Sequence, residues 1–181
     1  DLQDFQRWFA QRNGKTERHF IALIGLRGAG KSTVGARLAK KLNTDFVELD
    51  WRIEQAAGMS LGEIFSMHGE EYYRRLEQKE LVKLFSESKG CVLATGGSLV
   101  TYTESWSLVK RNCFTVWLQA TPEEHMTRVL RQGDTRPMKD NPSAMNELRD
   151  LLLRREPLYA EAETTVKTSD HSPIEVVEQI V

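Results

Sequence analysis

The 181-residue sequence has only two cysteines, Cys91 and Cys113, too few for a disulfide framework. Each opens a run of β-forming apolar residues, Cys91-Val-Leu-Ala and Cys113-Phe-Thr-Val-Trp-Leu. The reading for both is therefore a small buried hydrophobe. No Cys/His spacing suggests zinc. No apolar run approaches the roughly 20 residues of a membrane span, and no basic-then-apolar leader opens the sequence. The expectation is a cytoplasmic protein. An excess charge of one sign is also missing: 25 Lys and Arg face 26 Asp and Glu, a formal charge of -1. This chain by itself has no electrostatic footprint for nucleic acid. An initiator methionine is absent at Asp1, which suggests a processed chain or a piece of a longer one.

What is present is ordinary globular material, 40% hydrophobic and 28% charged, enough for one core. Leu2, Phe5, Trp8 and Phe9 recur at helical spacing ahead of the polar stretch 13–19, so residues 1–19 read as an amphipathic helix and linker. Residues 20–181 read as the domain proper. Strands are expected at Phe20 to Ile24, Phe46 to Leu49, Cys91 to Ala94, Phe114 to Leu118 and Thr164 to Val166, with helical patterns between them, the first from Ser32 to Leu42. Strands alternating with helices imply parallel pairing and right-handed crossovers, hence an α/β class. Ser60 with Glu63, Thr121 with Glu124 and Ser172 with Glu175 have capping-box spacing and mark three helix starts.

Gly25-Leu-Arg-Gly28-Ala29-Gly30-Lys31-Ser32, followed by Thr33, lies between the first strand and the first helix. Glycines there let consecutive N–H groups turn toward phosphate oxygens, and the helix N-terminus adds partial positive charge. Lys31 reaches terminal phosphates and the Ser32 hydroxyl is a ligand type for Mg²⁺. The segment reads as a nucleotide-binding loop.

From Phe20 onward the chain resembles the shikimate kinases. Their acidic pair after the second strand is matched by Phe46-Val-Glu48-Leu-Asp50, then Ile53-Glu54 and Gly58. Their Gly-Glu-x-x-Phe-Arg-x-x-Glu is matched by Gly69-Glu70-Glu-Tyr-Tyr73-Arg74-Arg-Leu-Glu77, and their Gly-Gly-Gly turn by Gly96-Gly97-Ser98. Arg136-Pro137-Met138 stands for the lid motif and Arg155-Glu-Pro157-Leu-Tyr159 for Arg-x-Pro-Leu-Tyr. The resemblance implies a three-layer phosphate-loop fold on a five-stranded parallel sheet, with ATP and Mg²⁺ as cofactors. It implies Asp50, Arg74, Gly96, Gly97, Ser98 and Arg155 around a small carboxylate substrate, Ser32 and Glu48 at the metal, and Lys31, Asp50 and Arg136 in catalysis. Without the family context, Arg74 is equally an i,i+3 partner of Glu77, Arg155 a cap for helix carbonyls, and Asp50 a helix cap.

Three positions depart from the family pattern. Glu48 is a methylene longer than Asp, Ser98 adds a Cβ where the third glycine stands, and only Gln-Gly-Asp-Thr separates Arg131 from Arg136 in the lid. With Phe114-Thr-Val-Trp-Leu, Pro122-Glu-Glu-His-Met126 and Gln132-Gly-Asp-Thr-Arg-Pro-Met138, the chain also looks like a narrower group. That group comprises regulators of benzoate catabolism that join an XRE-type helix-turn-helix to a shikimate-kinase-like half. This second resemblance implies an effector-sensing domain for an aromatic acyl-CoA, benzoyl-CoA first, with an acyl-CoA or nucleotide ligand. DNA would be bound only through a helix-turn-helix outside this chain, in a full-length protein able to form a homodimer. The alternative is an active shikimate kinase moving the ATP γ-phosphate to the shikimate 3-hydroxyl.

Overall fold

The structure, a computed structural model, describes residues 19–131 and 142–181. The expected helix and linker at 1–19 lie outside the described residues except for His19, and the lid residue Arg136 lies outside them altogether.

The elements run β1 (His19–Ile24), α1 (Lys31–Leu42), β2 (Phe46–Glu48), α2 (Leu49–Ala57), α3 (Leu61–Glu87), β3 (Gly90–Ala94), a 3₁₀ turn (Leu99–Thr101), α4 (Thr103–Asn112), β4 (Cys113–Gln119), α5 (Pro122–Arg131), α6 (Ala144–Tyr159), β5 (Thr164–Lys167) and α7 (Pro173–Ile180). All strand pairings are parallel, in the order β2-β3-β1-β4-β5. The expected five-stranded α/β sheet is therefore present. β1 lies at its centre because it is apolar on both faces: Phe20, Ala22 and Ile24 pack on one side, Ile21 and Leu23 on the other. The first set meets α2, α3 and α4 through Ile53, Leu81 and Trp106; the second meets α1 and α7 through Leu38 and Val177. Each fully buried Leu or Phe of these layers contributes about 1.5–3 kcal/mol. Cys91 and Cys113 are buried thiols on the two strands that flank β1.

Strand boundaries differ slightly from the sequence pattern. β1 starts at His19, whose N–H donates to Lys89 O, and β4 extends to Cys113 and Gln119 because it is paired on both sides. β2 stops at Glu48: Leu49, expected in the strand, begins α2 and is fully buried there, a position either element would suit. All three capping boxes form, with Glu63, Glu124 and Glu175 each accepting from its cap's backbone N–H.

A single break in α3 sets the shape of its second half. Gly69, at φ 77° and ψ 178°, interrupts the helix in a conformation that a side chain would strain. The segment after it is set so that Tyr73, Arg74 and Glu77 are buried beside the C-terminal ends of β2 and β3.

Candidate functional site

Parallel α/β sheets place ligands in the crevice at the carboxyl ends of their strands. Here the turns after β1, β2 and β3 open on a cavity of about 370 Å³ lined by Gly28, Gly30, Lys31, Ser32, Thr33, Glu48, Asp50 and Gly97. Ala29 lines a neighbouring recess with Gly28, Gly30 and Thr33, and Gly25 anchors the loop through its carbonyl. Gly28 has φ 80°, and a Cβ there would come within 2.8 Å of His125 O, so the loop needs glycine at this point.

Lys31 donates to Gly25 O at 2.7 Å and to Leu26 O at 3.1 Å, holding the loop closed around its own ammonium. Burial lowers Lys31 to about 8, against the opposing pull of the Asp50 and Glu48 carboxylates. A phosphate anion beside it would restore the charged form. Ser32 and Glu48, on the same wall, are hard oxygen donors. Mg²⁺ commonly takes one or two protein oxygens and completes its shell with water and phosphate, so this pair suits it. Among the described residues no cluster of three or more His, Cys, Asp or Glu forms a closed metal cage.

A second cavity, about 740 Å³, opens next to the first and shares Asp50, Arg27, Leu61 and Gly97 with it. Gly96, Ser98 and Arg155 line it, with Tyr73 and His125. Asp50 is on the first turn of α2 but does not cap it; its Oδ1 accepts from the Tyr73 hydroxyl at 3.0 Å. Burial raises the Asp50 carboxyl, while the Tyr73 hydrogen bond and Lys31 pull it down. Arg155, within α6, donates to Gly97 O at 3.2 Å rather than to helix carbonyls, and Tyr159 donates to the same oxygen. Arg74, 4% exposed, lies one layer back: it pairs with Glu70 and Glu77 and donates to Ser98 Oγ at 2.9 Å. The i,i+3 partnership with Glu77 and the place near the cleft are both realised. Ser98 sits at φ -101° and ψ 0°, free of the positive-φ strain that a Cβ would carry in place of glycine.

Several contributors escaped the sequence reading. Tyr73 had a signal, since it stands where the family pattern has Phe. His125 had none; it is 2% exposed, and its Nδ1 lies 2.9 Å from Arg27 O. A carbonyl only accepts, so Nδ1 carries the proton, and burial lowers the imidazole to about 4. Arg128 grips the loop from the other side, reaching Gly28 O and Ala29 O at 3.4 Å, Thr168 Oγ1 at 2.9 Å and Thr168 O at 3.3 Å.

Residues 27–181 match the family model for shikimate kinase. The chain is 38% identical over 161 residues to the shikimate kinase of Synechococcus sp. strain JA-3-3Ab, covering 88% of this chain and 84% of that one. It is 37% identical over 161 residues to that of Caldanaerobacter subterraneus subsp. tengcongensis, covering 89% and 93%. Among solved structures, the shikimate kinase of Acinetobacter baumannii in complex with shikimate superposes with a TM-score of 0.80 at 34% identity, covering 90% of each chain. A gluconokinase from Sinorhizobium meliloti, at 18% identity and a TM-score of 0.60, shares the fold alone.

These findings overturn the narrower resemblance. The reading as a benzoyl-CoA-sensing, effector-binding half of an XRE-type transcriptional regulator does not stand, because relatives matching nearly nine-tenths of the chain are kinases by name. Nothing supports an acyl-CoA ligand or a helix-turn-helix partner. Two of the three departures from the family pattern, Ser98 and Glu48, sit in intact surroundings. Ser98 is unstrained and hydrogen-bonded, and Glu48 lines the phosphate cavity beside Lys31 and Ser32. Residues 132–141, where the sequence reading expects a shortened lid, fall outside the described residues.

Proposed function

The chain belongs to the shikimate kinase family, and from that membership we propose that it transfers the γ-phosphoryl group of ATP to the 3-hydroxyl of shikimate. The observation that carries the reading is the position of Asp50 on the shared wall of the two cavities, one built for phosphates and the other able to hold a small acid. The kinase unit is residues 20–181, with 1–19 ahead of it. The compartment that goes with this reading is the cytoplasm, where ATP is at hand. Among the described residues no helix is long and apolar enough to cross a membrane.

In this reading Gly25, Gly28, Ala29, Gly30, Lys31, Ser32 and Thr33 bind the nucleotide, their N–H groups and the start of α1 facing the phosphates. Ser32 and Glu48 would hold Mg²⁺, which when bound neutralises phosphate charge. Asp50 orients the attacking hydroxyl: Tyr73 occupies Oδ1, which leaves Oδ2 to accept the hydroxyl proton as the oxygen reaches phosphorus. Lys31, on the wall of the first cavity, stabilises the charge on the transferring group. The family resemblance assigns Arg136 a share in that charge stabilisation. Gly96 and Gly97 form the floor, and Arg155, Ser98 and Arg74 form the end that receives the acid. Catalysis in this arrangement is positioning and electrostatics, with no covalent enzyme intermediate.

The test is direct. With Mg-ATP and shikimate, the protein should release ADP one-for-one with a shikimate product heavier by one phosphoryl group, read by mass spectrometry. ADP release with no phosphorylated product, or no turnover at saturating substrates, overturns the assignment.

A further inference from the structure

A loop grips phosphate well only when its backbone N–H groups are aimed before the anion arrives. One amide of the loop is already engaged, since Ala29 N–H donates to Leu26 O at 3.1 Å. Gly28 N–H is not: it lies on the wall of the first cavity and, among the described residues, donates to nothing. What aims it is on the far side of its own peptide. In a trans peptide the C=O of one residue and the N–H of the next point in opposite directions, so fixing Arg27 O fixes Gly28 N–H. Arg27 O accepts from His125 Nδ1 at 2.9 Å, whereas Arg128 holds the next two carbonyls, Gly28 O and Ala29 O, at the longer distance of 3.4 Å.

His125 is itself firmly held. It stands in the first turn of α5, where its N–H donates to Thr121 O at 3.0 Å beside the capping box formed with Glu124. Its own carbonyl packs against Gly28, at the 2.8 Å approach that leaves no room for a Cβ there. The ring is buried and borders the second cavity, but it is not on the wall of the phosphate cavity. Its contact with the loop is therefore a tether from behind.

We infer, on the kinase reading just given and as a deepening of it, that His125 is a positioning residue for the nucleotide: through Arg27 O it holds the Arg27–Gly28 peptide with Gly28 N–H turned toward the phosphates of ATP and ADP. No atom of His125 touches the ligand. Glycine on one side of that peptide lets it rotate as a unit, so without the tether the amide loses its aim.

The experiment compares the wild type with His125→Leu and His125→Asn, by calorimetry with Mg-ADP and by the KM for each substrate in turnover. Leucine fills a similar volume without a donor, while the asparagine Nδ2 stands where the imidazole has Nδ1. In His125→Leu the Kd for Mg-ADP and the KM for Mg-ATP should rise about tenfold, equivalent to about 1.4 kcal/mol, and in His125→Asn both should stay within about twofold of the wild type. The kcat and the KM for shikimate should change less than about twofold in either variant, because an N–H that holds phosphate equally before and during transfer contributes uniform binding. Wild-type affinity for Mg-ADP in His125→Leu overturns the inference. An equal loss in His125→Asn also overturns it, since that marks the ring's shape rather than its proton, and so does a matching rise in the KM for shikimate, which marks a general distortion. A wild type that binds Mg-ADP without phosphorylating shikimate overturns the kinase reading, and the Mg-ADP affinities of the two variants still decide the role of His125.

Discussion

The hydroxyl of Tyr73 lies 3.0 Å from Asp50 Oδ1 and 3.3 Å from Glu77 Oε2, so one proton stands between two carboxylates that burial pushes up. Tyr73→Phe removes that proton and leaves Asp50 without its fixed neighbour. The kcat should drop about 10- to 100-fold, the scale of one hydrogen bond to a charged reacting group. Since the Tyr73 bond lowers the Asp50 carboxyl, its loss raises it further, and the acid limb of kcat/KM should move to higher pH. A pH–rate profile of the two proteins checks both.

The two arginines at the acid end should separate by phenotype. Arg74→Met strands Glu77, which is fully buried, and should lower unfolding free energy by about 3–5 kcal/mol, reduced as far as Glu77 takes up a proton. Arg155→Met, at a half-buried position, should cost about 1 kcal/mol and act mainly on the KM for shikimate. Urea denaturation followed by steady-state kinetics distinguishes them.

Lys31→Met should reduce kcat by a factor of about 10²–10³, the effect of removing one preorganised electrostatic contact to the transition state. It should also abolish the rise in Tm that Mg-ATP gives the wild type. A mutant with normal turnover would remove Lys31 from the mechanism.

His125 carries a pH signature. Its folded value, about 4, lies below the ordinary 6.5, so the unfolded chain binds the proton first as pH falls. The contribution is fully present above about 6.5 and is lost as pH drops toward 4. Between pH 7 and 4.5 this group alone should remove about 2–3 kcal/mol. His125→Gln should flatten that part of the acid-stability curve, measured by denaturant midpoints at the two pH values.

Burial pushes the Cys91 thiol up to about 12, and Cys113 is equally enclosed. Neither should react with a disulfide reagent in the native state, and both should react after unfolding. Fast labelling of the folded protein would contradict the packing around β1.

What could be read from the sequence was local. The phosphate loop is contiguous, and each capping box spans four residues, so their chemistry is visible without knowing the fold. Asp50 could be placed because it follows β2 directly. The Tyr73–Asp50 contact could not: it joins residues 23 apart and depends on the break at Gly69. The support of Arg27 by His125 spans 98 residues and follows from the β1–β4 pairing, which leaves no trace in either segment. Ser98 misled because a preceding Gly-Gly suggests a backbone that side chains avoid, whereas the chain there enters a 3₁₀ turn at negative φ. The regulator resemblance rests on short motifs and three departures taken together, and it gives way to kinases that match nearly nine-tenths of the chain.

Arg128 joins the phosphate loop to the residue just past β5, the edge strand that the sheet holds on one side only. Loop and edge therefore share a fastener. When phosphates order the loop, the carbonyls of Gly28 and Ala29 are fixed, and the guanidinium that grips them also pins Thr168. Amide hydrogens of β5 should then exchange with solvent more slowly, though no ligand touches that strand. Occupancy of the nucleotide pocket would be legible at the far margin of the sheet.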